Sequence, residues 1–435
     1  MRFPARSLTL ALAAVTLAAV GLTVVPLAGT AGTADAAPCG SNANGSSLPF
    51  LDTGSIGGSI GGSIGGSISG VTGTQGPAPY FNNGVTRIID WVTGPKSKND
   101  TFDRFGISGT DLGVAWDNGS GQTLLAFGDT FGDCSVAGKQ WRHNVLLRTN
   151  DNDLHDGLSV PYGIPGDINS GASVTAAAPR YATQMIGAIG WSGIEVTTIP
   201  TSAISIAGKQ YLNYMSVRSW GDSGVWATNF SATAVSSDNG QTWTTPLDTI
   251  RVNAGVTVPL PAGWPSAQAN DAKFQQAAYV EGQRDEAGWI FQYGTPNGRY
   301  GALYLSRVRP ADILDLTKFE YWTGSGWSPT IDGITSSKAR VVGAPVSELS
   351  VAWSPYLNKY VMLDTGTLGV HFRTAEHPQG PWSLPRILVP STHGLYGPMM
   401  LPQSPALKGT GPELYFNGSR WAEYNVVLVE TKLRR

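Results

Sequence analysis

Short β-prone runs separated by turn-forming residues recur through most of this chain, and the sequence contains no long amphipathic helical pattern. Successive β-rich units can be drawn, with the last segment closing the chain, at residues 86–132, 143–186, 196–246, 269–327, 346–384 and 396–432. Regular spacing of strand clusters is typical of β-propellers. We therefore predict an all-β fold, a five-bladed β-propeller, with an array of β-sandwiches as the alternative.

One turn carries a more specific signal. Residues 236–243 match the Asp-box pattern Ser-x-Asp-x-Gly-x-Thr-Trp, a hairpin in which the Ser and Asp side chains hold the turn and the Trp packs between strands. Residues 376–382 occupy a corresponding turn in a later unit and form a degenerate relative of this motif. We interpret both segments as markers of the fold and not as catalytic sites.

The N-terminal third of the sequence changes composition twice. Residues 1–37 contain two arginines, an apolar run over 8–25 and a small-residue tail, which is typical of a secretory signal peptide; an uncleaved membrane anchor is the alternative. Residues 38–76 contain a Gly-Ser-Ile-Gly repeat that predicts a flexible lead-in. Residues 77–435 are globular in composition and form one domain. We expect a secreted protein, extracellular or cell-wall associated, with no membrane insertion after cleavage.

The chain contains two cysteines, Cys39 and Cys134. An even number of cysteines in an exported protein suggests a disulfide. Such a bond would tie the start of the mature chain to the segment just after Asp129. Two unpaired thiols are the alternative.

Charge and metal-ligand patterns exclude several classes of partner. Charged residues make up 14% of the chain and the net charge is -2, so we expect no nucleic-acid binding. The five histidines lack metal-ligand spacing, and we expect no metal and no cofactor. Residues 151–157 resemble a calcium loop, but Tyr162 stands where the bidentate acid would be, so a solvated turn is favoured over calcium. Fourteen Trp and fifteen Tyr residues suit a neutral sugar partner.

The strongest chemical signal is a predicted hairpin at residues 109–133. Two β-prone runs, 112–116 and 123–127, flank a turn-rich segment, and residues whose numbers sum to 240 face each other if the hairpin is symmetric. Asp111 and Asp129 form such a pair at its open end. Two carboxyl groups, one protonated and one ionised, are the minimal apparatus for cleaving a glycosidic bond. The alternative is that both are ordinary strand-end aspartates.

Further polar residues are expected to converge on this pair. In a propeller the innermost strand of each blade begins near the central channel, so residues at the starts of several strands approach one another. Asn144, Asp271, Glu348 and Tyr396 occupy such positions, with Glu348 as a supporting carboxylate and Asp271 as a binding group. Each could instead be an ordinary polar residue at a strand end.

Trp141 and Arg142 follow closely after Asp129 and combine an aromatic face with hydrogen-bond donors suited to a sugar ring. Trp141 could equally belong to the core. With the four residues above, they complete the predicted substrate-binding set.

Several segments together resemble the endo-D-arabinanases of glycoside hydrolase family 183, formerly a domain of unknown function. They are the strand at Asp111, residues 128–132, residues 141–148, and the run from 311–314 through 321–324. The more specific of these are the Asp129 motif and the Tyr-Trp-Thr-Gly segment at 321–324. The resemblance extends from about residue 87 to the end, which identifies residues 77–435 as a β-propeller glycoside hydrolase domain.

The resemblance implies hydrolysis of internal α-D-arabinofuranosyl linkages in a D-arabinan polysaccharide, as found in mycobacterial-type arabinogalactan and lipoarabinomannan. The family's paired catalytic aspartates correspond to Asp111 and Asp129. We expect Asp111 to act as the base that activates water and Asp129 as the acid, in an inverting scheme. A carboxyl separation near 5 Å would instead suit a retaining scheme.

Two other functions remain open from the sequence. The Asp-box suggests a sialidase-like exo-glycosidase, which would need an arginine cluster for a carboxylate. Three arginines can be nominated for it: Arg142, Arg218 and Arg373. A non-catalytic propeller that binds glycan through exposed aromatic residues is the other possibility. Its binding residues would include Trp141, Trp220 and Tyr396.

Overall fold

A computed structural model describes Cys39, residues 72–188 and residues 194–435. The predicted signal peptide and the Gly-Ser-Ile repeat lie outside the described residues. The described chain contains twenty strands. They are β1 (Thr86–Trp91), β2 (Leu112–Asp117), β3 (Thr123–Phe127), β4 (Val145–Thr149), β5 (Thr197–Ile206), β6 (Lys209–Trp220), β7 (Trp226–Ser236), β8 (Arg251–Val252), β9 (Gln276–Glu281), β10 (Ile290–Thr295), β11 (Gly301–Val308), β12 (Glu320–Trp322), β13 (Trp327–Ser328), β14 (Val342–Ser354), β15 (Lys359–Gly366), β16 (Gly369–Ala375), β17 (Arg386–Pro390), β18 (Leu395–Met400), β19 (Glu413–Arg420) and β20 (Asn425–Lys432).

Helical structure in the described residues is short. Two α-helices, α1 (Thr101–Phe105) and α2 (Pro405–Lys408), accompany several 3₁₀ turns of three to six residues. The predicted all-β class is therefore confirmed. Within the described ranges, no helix has the length and apolar character needed to cross a membrane.

The strands form antiparallel groups that follow the chain order. These groups are β2–β4, β5–β8, β9–β13, β14–β17, and β18–β20 with β1. Strand β11 also pairs with β14 through Gly301 and Val346, which joins two groups into one nine-stranded sheet. Strand β1 pairs with β20, so the beginning and the end of the folded chain share one sheet.

The first strands of the five groups lie side by side in a cyclic order. Strand β2 contacts β5, β5 contacts β9, β9 contacts β14, β14 contacts β18, and β18 contacts β2. A cavity of about 310 Å³ is lined by one stretch from each of these strands or its end, at residues 114–117, 201–205, 278–281, 349–353 and 399–402. The cavity lies toward the later residues of these strands, and the cyclic order of the strands brings their starts near one another although they are distant in sequence.

Two of the unit boundaries drawn from the sequence are wrong. Strand β4 belongs to the sheet of β2 and β3, and residues 150–188 contain no strand, only isolated bridges such as Val145 to Gln184 and Leu147 to Ala172. The segment 143–186 is therefore not a separate unit. Its glycines, prolines and aspartates favour turns over a ladder of backbone hydrogen bonds. The group β18–β20, predicted only to close the chain, supplies the fifth set of strands.

Buried side chains fill the spaces between neighbouring groups. One core cluster unites Trp116 of β2, Tyr214 and Phe230 of the second group, and Met399 of β18. Full burial of a side chain of this size contributes about 1.5–3 kcal/mol. The Asp-box is confirmed at the second group, where the Ser236 hydroxyl donates to Asp238 (2.7 Å) and the Trp243 indole donates to the Gly240 carbonyl (3.1 Å).

Candidate active site

The hairpin of β2 and β3 has the predicted register over most of its length. Val114 faces Ala126, and the pairs as far as Asp117 and Thr123 also sum to 240. A β-bulge then shifts the register by one residue, since Leu112 faces Phe127 and both Leu112 and Gly113 have positive φ. A bulge adds one residue to one strand and bends it.

The bulge changes the predicted pairing of the two aspartates. The carbonyl oxygen of Asp111 accepts a hydrogen bond from the amide of Gly128 (3.2 Å), so Asp111 is aligned with Gly128 and not with Asp129. The prediction that the aspartates face each other directly is therefore wrong by one residue. They still share the open end of the hairpin, and the charge of Asp111 raises the pKa of Asp129.

Asp111 is held from two sides. The Tyr396 hydroxyl donates a hydrogen bond of 2.8 Å to its Oδ2, and the backbone amide of the next residue, Leu112, donates to the Ser419 hydroxyl (2.7 Å). Its Oδ1 is buried and has no hydrogen bond of normal geometry in the described residues, and the Tyr424 hydroxyl is close enough to act on this carboxyl group and lower its pKa. A buried carboxylate oxygen without a donor is costly, and such a group is available to a water or substrate hydroxyl.

Asp129 lies on the segment that leaves β3 and is buried. Its Oδ1 accepts a hydrogen bond of 2.5 Å from the hydroxyl of Thr197, the first residue of β5. Trp141 also acts on this carboxyl group and lowers its pKa. The Trp141 ring is half-buried and lies 4.6 Å from the ring of His143. Trp141 is therefore at the site, beside the second carboxyl group.

Burial raises the pKa of both aspartates, but not equally. The pKa of Asp111 is raised to about 7, first by burial and then by the charge of Glu348, while the Tyr396 hydrogen bond lowers it. The pKa of Asp129 is raised to about 8, first by burial and then by Asp111. Because the charge of Asp111 raises the pKa of Asp129, loss of the first proton makes loss of the second less favourable, and a singly protonated pair is favoured near neutral pH.

Glu348 reaches the site through Arg299. The guanidinium of Arg299 binds both carboxylate oxygens of Glu348, at 3.0 Å from Nε and by a second, shorter contact. The same guanidinium lies 5.1 Å from the ring of Tyr396 and 4.6 Å from that of Trp421. Tyr396 itself stacks on Trp421 at 4.0 Å. This cluster supports the phenol that holds Asp111.

Arg142 and Asn144 form hydrogen bonds with the backbone of neighbouring segments and not with the two aspartates. The Arg142 guanidinium donates to the carbonyls of Phe105, Gly106 and Ala182, and it stacks on a tyrosine ring. The Asn144 amide is buried and binds backbone groups of Ile186 and Thr198. Asn144 precedes β4, the third strand of its sheet and not an innermost strand. Most of their donors are committed to backbone groups, so we assign them a role in positioning the 128–144 segment.

Asp271 lies away from the aspartate pair. It is on a 3₁₀ turn (Ala269–Phe274) and forms a buried ion pair with Arg251 (3.0 Å), which in turn donates to the Tyr321 hydroxyl (3.0 Å). The expected position at the start of an innermost strand is wrong, because the turn carries Asp271 toward β8 and β12. This ion pair joins the second and third strand groups.

The arginines considered for a carboxylate-binding cluster are engaged separately. Arg373 pairs with Asp364 (3.1 Å), and Arg218 donates to the carbonyl of Gly255 (3.3 Å). In the described part of the chain, no group of three His, Cys, Asp or Glu side chains is arranged to hold a metal ion. Asp151, in the calcium-like segment, accepts hydrogen bonds from the backbone amides of Asp153 and Ser159.

Comparison with known families gives one decisive match. The model of the family described as a domain of unknown function, DUF4185, matches residues 96–430. The chain belongs to the DUF4185 family. The match includes both aspartates, Arg299, Glu348 and Tyr396, so the whole site lies within the family domain.

More distant similarities extend over the same region. The chain is 27% identical over 336 residues to Notoamide biosynthesis cluster protein J from Aspergillus sp. (strain MF297-2), covering 73% of this chain and 81% of that protein. A family 117 glycoside hydrolase from the marine bacterium Zobellia galactanivorans aligns with 12% identity, 80% and 90% coverage and a TM-score of 0.45. An endo-arabinanase from Bacillus licheniformis aligns with 10% identity, 78% and 96% coverage and a TM-score of 0.41.

Several residues of this DUF4185 site are not evident from the sequence. Arg299, Trp421, Thr197 and Tyr424 belong to no motif, and long-range packing alone brings them to the aspartates. Tyr424 is buried, and its pKa is raised well above the ordinary value, first by burial and then by Asp111 and Asp129. The Tyr424 hydroxyl therefore lies close enough to both carboxyl groups to feel their charge. A positive φ of 48° at Tyr424 is a backbone feature that the sequence does not signal.

Proposed function

We propose that this protein is a secreted glycoside hydrolase that cleaves internal α-D-arabinofuranosyl linkages of a cell-wall D-arabinan. The observation that carries the proposal is the pair of buried carboxyl groups, Asp111 and Asp129, whose pKa values are both raised and of which the first raises the pKa of the second. Glycosidases require two such groups in different protonation states on either side of the scissile bond. The Trp141 ring beside Asp129 offers an apolar face for a sugar.

The surroundings of the two carboxyl groups support a role for each. The Tyr396 hydrogen bond stabilises the ionised form of Asp111, and its buried Oδ1 is available to take a proton from an attacking water. Asp129 in its protonated form can transfer the proton to the glycosidic oxygen as that bond breaks. The Thr197 hydroxyl and the Tyr396 hydroxyl each fix one carboxyl group, so that the developing oxocarbenium ion meets both in a defined orientation.

We infer an inverting mechanism from the register of the hairpin. Directly opposed side chains have Cβ atoms about 5 Å apart, whereas diagonal ones are about 7 Å apart. The register shift places Gly128, and not Asp129, opposite Asp111, so the two carboxyl groups are not held at the close spacing of a directly opposed pair. A wider separation leaves room for the nucleophilic water that inversion requires.

The proposed architecture is a five-bladed propeller. The cyclic contacts of β2, β5, β9, β14 and β18 around a common cavity support it, together with the sheet shared by β1 and β20. In this arrangement the starts of five strands and the loops beside them form one face. The carboxyl groups, Arg299 and Tyr396 would line the substrate cleft on that face.

The substrate class and the location rest on separate observations. The resemblance to endo-D-arabinanases concerns the Asp129 motif and residues 321–324, both inside the DUF4185 match. A net charge of -2 suits a neutral polysaccharide. The disulfide between Cys39 and Cys134 supports export, because such bonds persist in oxidising compartments.

Product analysis with mycobacterial-type arabinogalactan tests the proposal. The mature protein is expected to release D-arabino-oligosaccharides, and Asp111→Asn and Asp129→Asn are expected to release none. Asp285→Asn, a change at an exposed aspartate, serves as the matched control and should behave like wild type. The anomeric form of the first product, followed by NMR, distinguishes inversion from retention. If all four proteins bind the polymer and none shortens it, the protein is a glycan-binding module and the hydrolase proposal is wrong.

A further inference from the structure

An exposed aromatic ring belongs to the residue that follows Arg299 of the site. Tyr300 follows Arg299 and is 63% exposed. Its hydroxyl donates a hydrogen bond of 3.1 Å to the carbonyl of Ser223, and a Cβ at Gly224 would lie 3.4 Å from the ring edge. The ring is therefore fixed at its tip and along one edge while most of its surface remains open to solvent.

The loop that fixes this ring is on the same side of the sheets as the aspartates. Residues 221–225 join β6 to β7, and the end of β6 pairs with the start of β5, where Val217 faces Thr197. Thr197 is the residue that binds Asp129. The start of β11, which follows Tyr300, pairs with β14 close to Glu348. Tyr300 is thus at the same end of the sheets as both carboxyl groups.

A series of contacts connects Tyr300 to Asp111, the proposed base. The amide of Arg299 donates to the carbonyl of Gly224 (2.8 Å), and the Arg299 guanidinium lies against the Tyr396 ring. Tyr396 in turn binds Asp111. One arginine and one tyrosine side chain therefore separate the exposed ring from the catalytic carboxylate. A polymer chain that occupies the cleft and extends past Arg299 would reach Tyr300.

The chemistry of this surface fits a sugar ring and does not fit a charged ligand. The only cation adjacent to the ring in sequence, Arg299, is neutralised by Glu348. A preordered aromatic face stacks on the C–H groups of a furanose ring at little conformational cost. The phenol hydroxyl is already occupied by Ser223, so recognition uses the face of the ring.

We propose that Tyr300 is a binding platform for a sugar residue of the polysaccharide, at a subsite remote from the cleaved bond. This inference rests on the proposed function and names an additional binding position for the same polymer. Because the subsite is remote, it contributes to the binding of long chains and not to the binding of short ones.

Affinity measurements with Tyr300→Ala test the platform. They are made in the Asp129→Asn background so that the ligand is not consumed, with arabinogalactan and an arabinofuranose disaccharide as the two probes. We expect affinity for the polymer to fall roughly three- to tenfold, which is the scale of one aromatic stacking contact. Affinity for the disaccharide should not change. Tyr300→Phe, which keeps the ring, should retain most of the polymer affinity.

Tyr162→Ala is the matched control, because Tyr162 is equally exposed (64%) and stacks on Arg104 away from the aspartates. Equal polymer affinity for Tyr300→Ala and Tyr162→Ala would overturn the platform, and so would an equal loss for both probes. Failure of the hydrolase proposal has a different signature, since the wild-type protein would then release no oligosaccharide whatever the Tyr300 variants bind.

Discussion

The Tyr396 hydroxyl donates a hydrogen bond of 2.8 Å to Oδ2 of Asp111, across 285 positions of sequence. The bond stabilises the ionised form and lowers the pKa of Asp111, opposing the effect of burial. The same phenol ring stacks on Trp421. The Tyr396 side chain therefore influences both the position of the Asp111 carboxylate and its pKa.

Tyr396→Phe is expected to move the acid limb of the pH–activity profile upward from about pH 7, because the pKa of Asp111 rises when the bond is lost. A hydrogen bond to a charged group contributes about 1.5–3 kcal/mol, so activity at neutral pH should fall by roughly 10- to 100-fold. The profile of kcat/KM against pH is the measurement. Tyr214→Phe, which removes a bond to Thr245 (3.0 Å) in the core, should leave the limb in place. An unchanged limb in Tyr396→Phe would contradict the assigned role.

Arg299 and Glu348 are expected to shift this limb in opposite directions. The charge of Glu348 raises the pKa of Asp111 and the charge of Arg299 lowers it. Glu348→Gln should therefore move the acid limb down, and Arg299→Gln should move it up. Each change also leaves one buried ion without its partner, which typically costs about 3–5 kcal/mol of stability. Profiles recorded well below Tm separate the shift in the Asp111 pKa from the loss of stability. Shifts of the same sign in both variants would contradict the assigned effects of the two charges.

Gly128→Ala tests whether catalysis depends on the close approach of residue 128 to the Asp111 carboxylate. A Cβ at residue 128 would lie 2.3 Å from Oδ1 of Asp111, closer than such atoms approach, so the carboxylate must move. Displacement of a catalytic group by about 1 Å can cost about 100-fold in rate, and we expect at least that loss in kcat. Gly343→Ala is the control because a Cβ there meets no atom within 4 Å. Retention of normal kcat by Gly128→Ala would show that Asp111 is not held where the reaction needs it.

The sequence predicts the hairpin well because its turn chemistry is local. Residues 117–121 dictate a tight connection, and the pairing of Val114 with Ala126 follows from it. The bulge at Leu112 escapes prediction, since it depends on a left-handed backbone that the Ser419 hydroxyl helps to hold. The alternation of polar and apolar residues along a strand does not reveal such a shift in register.

Residues at strand starts were only partly predictable for a related reason. Glu348 and Tyr396 contribute to the site, whereas Asp271 pairs with Arg251 elsewhere. The sequence indicates where a polar residue stands relative to a strand but not which distant charge it will meet. The contribution of Arg299 to the site could not be predicted for the same reason, because its partner Glu348 is 49 positions away.

Asp129→Asn is expected to abolish hydrolysis and, above about pH 4, to stabilise the fold. The folded protein keeps the Asp129 proton up to a pKa of about 8, whereas the ordinary value is 3.8, so the native state binds more protons between these values. Stability of the wild-type protein therefore falls as pH rises from about 4 to about 8. An amide in place of the carboxyl group removes this loss, and its carbonyl can still accept the Thr197 hydrogen bond. We expect Tm of the variant to match wild type near pH 4 and to exceed it by a few degrees at pH 8. Differential scanning calorimetry across this range is the measurement, and a variant that becomes less stable than wild type as pH rises would show that Asp129 is ionised in the folded protein.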